Sequence, residues 1–61
     1  MKQHNETKAR SNLSLMAMDV ADASVALGAD RLSSLNYYLF KIEQHIKELR
    51  EVLADEDAAV S

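Results

Sequence analysis

Residues 31–53 read RLSSLNYYLFKIEQHIKELREVL, and their spacing decides the fold. Leu32, Leu35, Leu39, Ile42, Ile46, Leu49 and Leu53 recur at alternating steps of three and four, which is one face of an α-helix. A strand reading fails. There is no period-two alternation, and Ala, Leu, Glu and Lys favour helix over sheet. Such a stripe requires an apolar surface opposite it.

Upstream, Leu13, Met16, Val20, Ala23 and Leu27 repeat the same spacing. Ser11 or Asn12 is expected as the N-cap of this segment. Gly28, the one glycine, is expected as its left-handed C′ residue, with Asp30 capping the helix that follows. No proline interrupts either segment. The expected fold is all-α: an antiparallel two-helix hairpin with a helix over 12–27, a turn at 28–30 and a helix over 31–54. Residues 1–11 read as a polar, flexible N-terminal tail. Residues 55–61 read as an acidic C-terminal tail, frayed because Asp55, Glu56 and Asp57 oppose the helix dipole.

Pairing across the turn brings Leu27 to Leu32, Ala23 or Ser24 to Leu35, Val20 to Leu39, Met16 or Ala17 to Ile42, and Leu13 to Ile46. The first helix is then about 24 Å long and the second about 36 Å. Leu49 faces Arg10, Leu53 faces Glu6, and with Val52 they form an apolar edge lacking an internal partner. Either residues 4–11 extend the first helix over this edge, or a second chain covers it.

Further apolar residues favour the second chain. Met18 and Val25 lie off the main stripe of the first helix. Tyr37 and Phe40 lie off that of the second, and Tyr38 flanks it. A flank holding Tyr38, His45 and Val52 is too apolar for a wholly wet edge, and aromatic residues are enriched at interface centres. The expected partner or dimer interface is Met18, Val25, Tyr37, Tyr38, Phe40, His45, Leu49, Val52 and Leu53, and two hairpins packed together make a four-helix bundle.

Composition agrees with a need for association. Ordering a residue costs about 1.5 kcal/mol, while burial returns roughly 25 cal/mol per Å². A chain of 61 residues sits near zero on that balance. It has no cysteine for a disulfide, and two histidines without thiolates make a poor zinc site. The opening MKQHNETKARSN lacks an apolar signal region, and no run approaches the roughly 20 apolar residues that span a bilayer. The expected location is the cytoplasm, with no membrane partner. A net charge of −3 does not favour nucleic acid, although a local basic patch is compatible with it. Lys2, Lys8 and Arg10 form the one run with a positive excess.

Signatures of catalysis are missing: no glycine-rich phosphate loop, no cysteine nucleophile, no serine elbow. No catalytic, cofactor or metal residue is expected. His45 and Glu48 share a face, but in the reverse order of the bundle di-metal motif, and Ile42 stands where its Glu belongs. Asp19 and Asp22 are neighbours on one helix face and read as solubilising.

In outline (length, hairpin and tight turn) the chain is similar to Rop-type plasmid regulators, without a residue motif that carries over. That resemblance implies a dimeric bundle with a face that holds RNA loops. Tyr37, Phe40 and Lys41 are the nearest counterpart here, and they sit beside Glu48 and Glu51. Three readings of function result. The first is a non-enzymatic protein-interaction module, a homodimeric regulator, adaptor or inhibitor. The second is a Rop-like RNA- or DNA-binding bundle. The third is a small subunit of a larger complex.

Overall fold

The computed structural model describes residues 1–60, with side chains described through Ala58. Ser61, the end of the expected acidic tail, lies outside the described residues. Two helices, α1 over Gln3–Gly28 and α2 over Leu32–Val60, pack against each other as an antiparallel hairpin.

Helix α1 begins at Gln3 and not at residue 12, so residues 3–11 are helix rather than a tail. The segment contains neither Gly nor Pro. The Lys2 carbonyl accepts the Glu6 N–H at 2.9 Å, and Arg10 pairs with Glu6 one turn away at 2.9 Å. Ser11 and Asn12 are therefore mid-helix residues and not caps. Asn12 instead donates from Nδ2 to the Lys8 carbonyl, at 3.0 Å.

Helix α2 likewise continues past the expected fraying point at residue 55. Asn5 Nδ2 donates to Asp55 Oδ2 at 2.7 Å and to Glu56 Oε1 at 2.9 Å, while the Lys2 backbone N–H donates to Glu56 Oε1 at 2.7 Å. The carboxylates that oppose the dipole of their own helix thus lie against the N-terminal end of α1, where negative charge is stabilised.

These extensions remove the expected mismatch of lengths. The helices have 26 and 29 residues, about 39 and 43 Å. The extension of α1 covers much of the far edge: Val52 is buried, Leu49 is half-buried, and only Leu53 stays exposed.

The turn differs from expectation at two residues. Gly28 has no positive φ, whereas Asp30 adopts φ 57°. The Asp30 N–H bonds the Leu27 carbonyl at 3.1 Å and the Arg31 N–H bonds the Ala26 carbonyl at 2.9 Å. This is a Schellman closure with Asp30 as the left-handed C′ residue. Asp30 therefore does not cap α2, and the Arg31 carbonyl accepts the bond from Leu35 N–H at 3.0 Å. Aspartate tolerates the left-handed region better than most side chains, which lets the chain turn two residues beyond its glycine.

The Cα envelope measures 47 × 14 × 10 Å with a radius of gyration of 14.2 Å. A compact chain of this length has a radius near ~10.5 Å. The hairpin is one layer of helices, where stable domains pack two.

Candidate interaction surface

The seam of the hairpin runs along unexpected edges. On α1 the residues turned inward are Asn5, Ala9, Asn12, Met16, Asp19, Ala23 and Ala26, at steps of four and three. On α2 they include Leu35, Tyr38, Ile42, His45, Leu49, Val52 and Glu56, with the same steps. Ala23, Ala26 and Val52 are the only buried apolar residues among those described, and Asn5, Asn12 and Asp19 are buried beside them, no more than 4 % exposed. Half of the most buried seam residues are therefore polar.

Most of its buried polar atoms have partners, several of them across the helices, which offsets the cost of burying them. Asn12 Nδ2 is engaged by Lys8, so Oδ1 is the acceptor, and His45 Nδ1 donates to it at 2.8 Å. The other ring nitrogen, Nε2, stands 3.4 Å from Asp19 Oδ2, an ion pair only when the ring is protonated. Asp19 Oδ2 has no hydrogen-bond partner, while Oδ1 meets the Lys41 ammonium at 3.2 Å. That carboxylate raises the pKa of Lys41, chiefly through the hydrogen bond and then through its charge. At the open end, the Asn5 amide lowers the pKa of Asp55, assisted by the charge of Lys2. Glu56 is lowered by the same amide and then by the Lys2 backbone N–H.

One residue beyond Asn12, Asp19, Ala26, Tyr38, His45 and Val52 the pattern inverts. Leu13, Val20 and Leu27 on α1, and Leu32, Leu39, Ile46 and Leu53 on α2, are 37–63 % exposed. Each row advances in steps of seven. The two helices are antiparallel and meet along equivalent edges, so equivalent flanking rows emerge on the same side. The seven side chains thus line one face of the hairpin, above the half-buried Met16, Leu35, Ile42 and Leu49. The expected pairs Leu27–Leu32, Val20–Leu39 and Leu13–Ile46 do not fill the seam. The seven residues are the outer surface.

The residues singled out from the sequence are dispersed. Leu53 belongs to the apolar face, and Leu49 lies beneath it. Val52 and His45 are seam residues of the hairpin itself. Tyr38 is half-buried at the seam and meets Tyr37 edge-on at 5.4 Å. Tyr37, exposed, carries the Lys41 ammonium 5.5 Å above its ring. Met18, Val25 and Phe40 are exposed on the outward sides of their helices, away from the row of seven. Asp19, expected to be wet, is buried. The spacing predicts Leu13, Val20, Leu27, Leu32, Leu39 and Ile46 in the hairpin interior, whereas all six are exposed. The signal for their true place is the heptad series Asn5, Asn12, Asp19 and Ala26, which marks the other edge of α1 as the seam.

Among the described residues, no group of three or more His, Asp or Glu is placed to hold a metal ion, and no helix is long and apolar enough to cross a membrane. Comparison with protein-family models, curated proteins and solved structures found no match to this chain.

Proposed function

We propose that this chain is a small non-enzymatic protein-interaction module of the cytoplasm, a regulator, adaptor or inhibitor that works by helix-face binding. Its working form is a homodimer in which two hairpins cover each other's aliphatic rows and make a four-helix bundle. The carrying observation is the exposed face of Leu13, Val20, Leu27, Leu32, Leu39, Ile46 and Leu53. Burying a large aliphatic side chain from water is worth about 1.5–3 kcal/mol, so each of the seven leaves roughly 1 kcal/mol unrealised in the single hairpin. Heptad-spaced rows on both helices are the pattern by which helical layers interlock. Tyr37, Phe40, Met18 and Val25 remain outside such a bundle and are its proposed contacts with a further protein.

A bundle that grips nucleic acid would draw on Tyr37, Phe40 and Lys41. The Lys41 ammonium is already paired with Asp19, which weakens that reading. Thermal melting over a hundredfold range of concentration tests the proposal. The midpoint should rise with concentration. A cooperative melt with a fixed midpoint would count against a homodimer. A chain that is unfolded alone at every concentration would point to a subunit of a larger complex.

A further inference from the structure

Hydrophobic spacing alone favours a different arrangement from the one the hairpin adopts. Rolling each helix by about 50°, half the angle between successive residues, would bring Leu13, Val20 and Leu27 against Leu32, Leu39 and Ile46. The seam would then be aliphatic, and Asn5, Asn12 and Asp19 would move toward water. The observed hairpin instead keeps those three polar residues inside and the aliphatic rows outside.

What holds this roll is visible at three levels along the rod. Asn5 bonds Asp55 and Glu56; Asn12 bonds His45; Asp19 meets Lys41 and His45. The α1 members are spaced by seven, so all three fall on one edge and act on the same rotation. They also fix register. Sliding one helix by a turn would strand a buried amide or carboxylate, whereas sliding an aliphatic seam strands nothing. Single buried polar residues are known to select pairing and oligomer state in coiled coils at a cost in stability.

We infer that Asn5, Asn12 and Asp19, with their partners on α2, are orientation-determining residues. Their pairing turns the aliphatic rows outward and so creates the face for a second copy of the chain. The inference rests on the proposed homodimer for its consequence, but the roll itself is measurable without it.

The test uses the full chain. In a variant carrying Asn12→Leu, Asp19→Leu and His45→Leu, the polar restraint on the roll is removed over the central turns. The expected result is a helical protein that no longer has a discrete two-copy mass and runs as single chains or mixed larger species. Retention of the two-copy mass would overturn the inference.

Because the chain has no cysteine, two engineered pairs then read the roll directly. Asn12→Cys with His45→Cys should close within one chain at least about tenfold faster than Leu13→Cys with Ile46→Cys, since only facing positions meet disulfide geometry. The oxidised first pair should retain the two-copy mass, with a covalent rung in place of the polar one. Equal closure rates, or faster closure of the second pair, would overturn the inference even if the triple variant failed to fold. If the unmodified chain is a single copy at all concentrations, the proposed homodimer fails, while the two closure rates still decide the roll.

Discussion

Asn12 and Leu13 are neighbours in the chain and opposites in burial: Asn12 is 4 % exposed and Leu13 is 55 % exposed. The same inversion separates Asp19 from Val20 one heptad later. The hairpin thus shelters amides and a carboxylate while presenting aliphatic rows to water.

The turn offers two substitutions that should stabilise. Asp30 holds φ 57°, so Asp30→Gly should raise stability by roughly 0.5–1 kcal/mol by relieving the left-handed strain. Gly28 is helical without a positive φ, and a Cβ added there meets nothing within 4 Å. Gly28→Ala should therefore gain a similar amount, roughly 0.5–1 kcal/mol. Urea titration of each variant checks both, and a loss of stability in either would contradict the turn geometry.

Removing the histidine should be costly. In His45→Ala, Asn12 Oδ1 loses its donor and Asp19 loses the ring beside its unpartnered oxygen. A stranded buried acceptor costs about 1–3 kcal/mol. The urea midpoint should fall accordingly, and an unchanged midpoint would show that the ring is dispensable to the seam.

Stability should decline at both extremes of pH, for different reasons. Asp55 and Glu56 are depressed in the folded chain, chiefly by Asn5. Their contribution is present above the unfolded carboxylate range, about 3.9–4.3, and is lost as pH falls through the lower folded values. Lys41 is raised by Asp19, so its contribution is present below the ordinary lysine value of about 10.4 and is lost as pH rises through the higher folded one. Asn5→Ala should flatten the acid limb of a melting-versus-pH curve and leave the basic limb alone. An unaltered acid limb would show that Asn5 does not carry it.

Much of the fold is legible in the sequence, because steps of three and four over two segments without proline admit only helices. Three features are not. Residues 3–11 look like a tail because they are polar, and their order depends on contacts 50 residues away between Asn5 and Asp55. The turn is misplaced by the general preference of C′ for glycine, which Asp30 here overrides. The seam is misassigned because hydrophobic spacing reports which residues want burial, and it is silent on whether their own chain or another provides it. In this hairpin the aliphatic rows stay exposed, and the polar heptad Asn5, Asn12 and Asp19 marks the edge of α1 that is buried instead.

On the proposed function, the aliphatic face receives a second copy of the chain. The most direct test of that reading is the solution mass of the native chain beside Leu39→Glu, which places a charge in the middle of that face but outside the seam. The native chain should run at twice its 6.8 kDa, and the variant should run as a single chain with a lower melting point. A native chain of 6.8 kDa that melts cooperatively, with Leu39→Glu leaving both mass and melting unchanged, would contradict it.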